Sequence, residues 1–219
     1  MKIINAKTEI LSPNMTPESI NQMYQNIEAA GRTCYKSEDK ITPESSRKFI
    51  RGLIKRGHEA MIEHASMTVR FTVDRGVSHE IVRHRIASFA QESTRYCNYS
   101  HDKFGNEISV INPCFFIGAE NIAKLDEWVA AMNDAERHYF KLLEFGATPQ
   151  EARSVLPNSL KTEIVVTMNM REWRHFFKLR AAGTTGAPHP QMVEVALHLL
   201  RRCQELMPEL FDDIQPGGK

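Results

Sequence analysis

Residues 83 to 96 read Arg-His-Arg-Ile-Ala-Ser-Phe-Ala-Gln-Glu-Ser-Thr-Arg-Tyr, which packs three arginines, a histidine, two serines and a glutamine into one short stretch. Guanidinium forks match phosphate oxygens, while hydroxyl, amide and backbone N–H groups match the oxygens and ring edges of a nucleotide. The chemistry such a stretch could serve is therefore the binding of phosphorylated heterocycles. The same composition also describes a solvated charged surface in which Glu80 and Glu92 pair with the arginines. Composition alone does not separate the two.

The flanking pattern shows what must hold these residues in place. Met67, Val69, Phe71 and Val73 alternate with Thr68, Arg70, Thr72 and Asp74, the period of a half-buried strand. Val77, Ile81 and Val82 then precede Arg83, so a helix end presents the arginines and 87 to 96 continues as a polar segment punctuated by Phe89. Further on, "TEIVVTMN" at 162 to 169 reads as a buried strand by its β-branched run. Asn169 can cap "MREWRHFFKLR", in which Trp173, Phe176, Phe177 and Arg180 share a side; the aromatic stripe is most simply core.

The rest of the chain supplies packing. Thr16-Pro17 opens a helix with Ile20, Met23, Tyr24 and Ile27 on one face, closed by Gly31, and Thr42-Pro43 opens another with Phe49, Ile50, Leu53 and Ile54, closed by Gly57. The longest helix runs from Ile122 to Leu142 with Gly146 beyond its end. Thr148-Pro149-Gln150-Glu151 is a capping box for a short helix that Pro157 limits. A Gly/Thr/Pro loop at 183 to 188 leads to Pro190 and a last helix through Val193, Ala196, Leu197 and Leu200. Helices and strands mix without βαβ alternation and without a natural cut point, which predicts one α+β domain over residues 1 to 219.

Bulk charge narrows the partners. Lys+Arg 28 against Asp+Glu 27 gives a formal charge of +1, so no global field draws the chain to nucleic acid or an anionic membrane, and any basic site is local. No stretch approaches the ~20 apolar residues of a membrane span. Cys34, Cys97, Cys114 and Cys203 form no CxxC pair, and the polar "MKIINAKTEIL" start is no signal peptide; both point to a reduced, cytoplasmic protein.

Spacing separates the two readings of the basic stretch. Arg83-His84-Arg85-x-x-Ser88-x-x-x-x-Ser93-x-Arg95 resembles the signature of the flavin-dependent thymidylate synthases, six fixed residues in thirteen positions. "AGRTCY" at 30 to 35 and "GHEAMIEHAS" at 57 to 66 are similar to that family's N-terminal segments. "EARSVLP" at 151 to 157, residues 167 to 180 and "HPQ" at 189 to 191 are similar to its C-terminal ones. The resemblance implies an α+β fold with a central sheet flanked by helices, assembled as a homotetramer with interfacial active sites. It implies conversion of dUMP to dTMP with non-covalent FAD, 5,10-methylenetetrahydrofolate as carbon donor and NADPH as reductant. By the same resemblance Ser66, Arg83, His84, Arg85, Gln91, Asn169, Arg171 and His175 contact FAD. Glu80, Arg83, Gln91, Glu92, Ser93, Thr94, Arg95, Arg153 and Arg180 contact dUMP, with Arg153 donated by a neighbouring subunit. Arg180 matches the arginine that activates the uracil ring, and His189 aligns with a flavin-contacting histidine. Gln91 stands where some members carry glutamate, replacing an acceptor-only group with one that also donates.

The residue types suit that chemistry: FAD carries a pyrophosphate and dUMP a monophosphate, and Arg83, Arg85, Arg95, Arg153, Arg171 and Arg180 can neutralise both. A guanidinium beside uracil would stabilise charge developing on the ring. Ser93 has no histidine base at local spacing and reads as a hydrogen-bonding residue rather than a nucleophile; Cys97 reads as packing. His58, His64, His79 and His84 fit no common ligand spacing, so no metal site is expected. Two other classes remain to be tested against the flavoenzyme: a nucleotide- or RNA-binding module built on the arginines, and a histidine-based metal hydrolase.

Overall fold

The computed structural model describes residues 1–217, apart from the Lys103 side chain. In chain order its elements are β1 (Lys2–Ile4), β2 (Lys7–Ser12), α1 (Pro17–Thr33), α2 (Ser45–Lys55), β3 (Ser66–Asp74), α3 (Arg75–Ile81), β4 (Ala87–Gln91) and β5 (Ser109–Ile111). They continue with α4 (Ile122–Glu144), α5 (Pro149–Ala152), β6 (Lys161–Asn169), α6 (Met170–Arg180), α7 (Pro190–Leu206) and α8 (Pro208–Phe211). The α+β class is as expected. Strands β1 and β5 pair in parallel with Ile3 opposite Val110, and a four-stranded sheet has the order β2-β3-β6-β4.

Contacts divide the chain into two compact units, and the chain passes between them repeatedly: 1–7, 71–83 and 90–164 form one, 8–70, 84–89 and 165–217 the other. No single cut separates the units, which is why the sequence shows no linker. In the first unit Tyr99, Ile108, Val110, Met132, Tyr139, Ala152 and Leu160 form the core, with Trp128 and Leu156 packed against it. Asp74 ends β3 and caps α3, its carboxylate accepting from the Val77 N–H at 2.6 Å. In the second unit Trp173, Phe176, Phe177 and Phe211 make a chain of edge-on and stacked ring contacts, and Trp173 donates from Nε1 to the Met67 carbonyl at 2.9 Å. Thr16 and Pro17 start α1 as expected, with Ile20, Met23, Tyr24 and Ile27 buried.

Five local expectations change. Residues 87–91 of the expected polar segment form a strand; as an edge strand β4 needs only one bonded neighbour and shows little apolar signal. Gly31 does not close α1 but lies inside it, where a Cβ would come within 2.6 Å of the Phe49 ring, so close packing requires the glycine. The second helix begins at Ser45 instead of at Pro43, with Gly57 just past its end at φ +69°. Strand β6 is not buried throughout: Thr162, Ile164, Val166 and Met168 face inward and their neighbours are half-exposed. In α7 the inward face is carried by Met192, Val195, Ala196, Leu199, Leu200 and Cys203, so Val193 and Leu197 sit at its margin.

Candidate functional site

Helix α3 stops at Ile81, and the turn that follows sends successive side chains in opposite directions. Arg83 and Arg85 are exposed, while His84 between them is 3% exposed. In the second unit the His84 ring meets two groups from α6. Its Nδ1 lies 3.2 Å from Glu172 Oε1, and its Nε2 lies 3.2 Å from Arg180 Nε. The ring also packs edge-on to Phe176 and His175, with centroids 5.0 and 5.6 Å away. Burial, then the Arg180 guanidinium, then His175 depress His84 to about 4, so the imidazole is neutral at physiological pH. The His84–Glu172 contact is therefore a hydrogen bond from a neutral ring rather than an ion pair. Burial also pushes the Glu172 carboxyl up, with His175 opposing.

Helix α6 is fixed so that these groups hold their places. Asn169 caps it by accepting from the Glu172 N–H at 2.9 Å, and Arg174, 1% exposed, is clamped by Glu59 at 3.0 Å and by Asp213 at 2.6 Å, and donates to the Leu210 carbonyl. A cavity of about 490 Å³ opens beside the helix, lined by Asn169, Arg171, Glu172, His175 and Lys178, with Ile86, Glu59 and Glu63 on its other walls. Arg171 is exposed and pairs with Glu63 at 2.5 Å, and Lys178 pairs with Glu59 at 3.3 Å. A larger cavity of about 830 Å³ shares Glu59 and Arg171 and adds Arg32, Lys40, Arg56 and His58. Ser66, at the start of β3, is exposed and does not line either cavity. His189 is exposed at the N-cap of α7.

The first unit gathers the other expected residues. Gln91 donates from Nε2 to Ser78 Oγ at 2.9 Å and to Thr162 Oγ1 at 3.2 Å, two bonds that a glutamate could not make as a donor, which gives a local reason for the amide. Glu92 is bound to Lys161 at 2.9 Å and accepts from the Tyr99 hydroxyl at 3.4 Å, so it is tied to a lysine and not to the arginines of the stretch. Arg153 is exposed and donates to the buried Thr94 hydroxyl at 3.2 Å. Arg95 is exposed, its guanidinium 5.4 Å from the Tyr96 ring, and Ser93 and Glu80 are half-buried. Thus Gln91 through Arg95 with Arg153 share one unit, and His84, Asn169, Arg171, His175 and Arg180 share the other.

Sequence reasoning passed over Glu172 and Lys161. The readable sign for Glu172 was its place three residues after Asn169, where a capping-box acid would reach back to the cap N–H; its carboxylate turns to His84 instead. Lys161 had no sign, standing just before the strand expected at 162 to 169, which the structure extends back to include it. Ligand-type atoms of His84, Glu172 and His175 lie within 4.8 Å of one another, and the His84 nitrogen that faces Glu172 is Nδ1. His58, His64 and His79 are exposed and stand outside this group.

The fold is one already seen in a nucleotide methylase. The UMP/dUMP methylase PolB from Streptomyces cacaoi, solved with 5-Br dUMP, aligns over 97% of this chain and 96% of its own with a TM-score of 0.78 at 23% identity. The profile of the family described as thymidylate synthase complementing protein matches residues 18–209. Flavin-dependent thymidylate synthases from Mycobacterium avium and Geobacter sulfurreducens are 34% and 33% identical, covering 96% and 87% of this chain and 88% and 82% of theirs. One from Corynebacterium aurimucosum is 35% identical, covering 85% and 78%. The chain belongs to this thymidylate synthase family.

Proposed function

We propose that this protein is a flavin-dependent thymidylate synthase, making dTMP from dUMP by reductive methylation with 5,10-methylenetetrahydrofolate as carbon donor and NADPH as reductant. The observation that carries the reading is the complete Arg83–Arg95 signature in a chain that the family profile matches from 18 to 209. The donor set suits FAD: the cavity beside α6 offers Asn169, Arg171, His175 and Lys178, which can serve phosphate oxygens or the polar edge of a flavin ring. When bound, the flavin supplies hydride transfer between the reductant and the carbon being delivered.

The chain's own residues then bind and orient. Arg83, Arg85, Asn169, Arg171 and His175 hold FAD without a covalent bond; Ser66 and Gln91 are further contacts in the same reading. His84, buried with both nitrogens engaged, serves the flavin site through Arg180 and Glu172. Arg83, Arg95, Arg153, Ser93 and Thr94 take the dUMP phosphate and sugar, with Glu80, Gln91 and Glu92 completing the pocket. Arg153, exposed and held by a single bond to the Thr94 hydroxyl, suits donation to a neighbouring subunit's site in a homotetramer. Arg180 stabilises negative charge developing on uracil from the end of a rigid helix. Among the described residues no helix is long and apolar enough to cross a membrane.

Colour tests the reading. Protein purified with or reconstituted by micromolar FAD should absorb in the visible, change its spectrum on adding dUMP, and release free FAD on denaturation. Folded protein that takes up no flavin would sink the proposal. A colourless protein with steeply salt-dependent RNA binding would favour the binding module, and chelator-sensitive hydrolysis the metal enzyme.

A further inference from the structure

We infer that Glu172 is a positioning residue: it fixes the proton of His84 on Nδ1, so that the Nε2 lone pair holds the Arg180 guanidinium in place for catalysis. The inference rests on the catalytic reading of Arg180, but its first half stands on donor chemistry alone. A guanidinium only donates, so a ring nitrogen 3.2 Å from Arg180 Nε has to accept. The single proton of a neutral imidazole is then on Nδ1, and Nδ1 lies 3.2 Å from Glu172 Oε1, a group that accepts. Free imidazole side chains favour the opposite form, with the proton on Nε2. The buried carboxylate therefore selects the minority tautomer, and the position of Glu172 is itself set by Asn169 capping α6.

Without the carboxylate a buried Nδ1–H is left with no acceptor, and against that cost and the ring's own preference the single bond from Arg180 no longer keeps the proton off Nε2, so an N–H would face the Arg180 N–H. Donor against donor at this distance pushes the guanidinium away. The contact uses Nε, the inner nitrogen of the fork, so it orients the plane of the whole group without enlisting its two terminal nitrogens in that bond. His84 and Glu172 need not touch substrate for this effect. Glu172 and Arg180 lie on one helix, and the ring between them closes a chain of two hydrogen bonds that can only run in one direction.

The test is two-bond ¹H–¹⁵N spectroscopy of the histidine rings in the flavin-loaded, full-length protein near pH 7.5, with His84 assigned by the signal lost in His84→Gln. The parent should show Nδ1 protonated and Nε2 unprotonated, which needs no variant and so stands even if a variant misfolds. Glu172→Leu should move the proton to Nε2 and lower kcat about tenfold, the scale of one lost positioning bond, with KM for dUMP within twofold and flavin content unchanged. Glu172→Gln, whose amide oxygen can still accept from Nδ1–H, should keep the parent tautomer and most of the turnover. A parent ring protonated on Nε2, or equal losses of kcat in the Leu and Gln variants, would overturn the inference, as would a tautomer shift with turnover intact. Arg180→Ala assayed alongside separates the cases: if that variant turns over within a few-fold of the parent, the catalytic reading of Arg180 has failed, whatever the tautomer.

Discussion

Two clusters of the same residue types behave differently because one is dry and the other wet. Around α6, His84 and Glu172 are buried, and both ring nitrogens of His84 have a partner whose donor or acceptor role is forced. In the 91–95 segment with Arg153, the guanidiniums are exposed and their contacts are single bonds to a hydroxyl or a ring. The first cluster sets orientation and protonation, and its function should survive only changes that keep each donor and acceptor in place. The second presents charge that can rearrange around a phosphate, and its losses should be graded and sensitive to salt.

The largest expected effect sharpens the role of burial. Arg174→Ala removes a guanidinium 1% exposed between Glu59 and Asp213, leaving those carboxylates without their buried partner; chemical denaturation should show a loss of about 3–5 kcal/mol. A loss below about 1 kcal/mol would mean that burial does not separate the clusters.

Next comes Arg180→Ala, six residues along the same helix. Turnover should fall by two to three orders of magnitude with FAD content and stability nearly unchanged, and lysine should recover little, since it lacks the planar fork. A fall in flavin content matching the fall in rate would place Arg180 with the binding arginines instead.

Acid should break the dry cluster first. His84 titrates at about 4 in the folded protein against an ordinary value of 6.5, so between these values the unfolded chain holds more protons and stability falls as pH falls, by about 3 kcal/mol across the window. The Glu172 carboxyl, pushed up by burial, contributes with the opposite slope, so the diagnostic is the difference between parent and His84→Gln in denaturation curves at pH 7 and pH 4.5. Identical slopes would contradict a depressed His84.

The smallest effect belongs to the wet cluster. Arg153→Ala should weaken dUMP binding about ten- to a hundredfold and reduce its salt dependence, with stability unaltered, as measured by titration at two ionic strengths. If Arg153 serves a neighbour's site, mixed oligomers of Arg153→Ala and Arg83→Ala chains should regain activity that neither has alone; no recovery in verified mixed oligomers would assign each site to one chain.

What was legible in the sequence follows the same division. The Asn169 cap, the Thr148–Glu151 capping box and the half-buried period of β3 were readable because local hydrogen bonds and burial periods decide them. The arginines were readable as a charged motif. Strand β4 was not, because its pairing depends on β6, some seventy residues away in the chain. Neither was the partnership of Glu172 with His84, whose separation of 88 positions carries no periodic sign. The capping-box spacing at Glu172 even pointed to a different partner. Local rules name the residues, while long-range packing decides which of them are dry, and dryness is what divides positioning from binding here.

Synthesis of dTMP with a reduced flavin is tested by a single turnover: FAD-loaded protein, reduced in advance without oxygen and saturated with dUMP, is mixed with 5,10-methylenetetrahydrofolate and quenched over time. Formation of dTMP should be in proportion to the reduced flavin, with flavin reoxidation keeping pace. Fully loaded and reduced protein that binds dUMP yet forms no dTMP would contradict it.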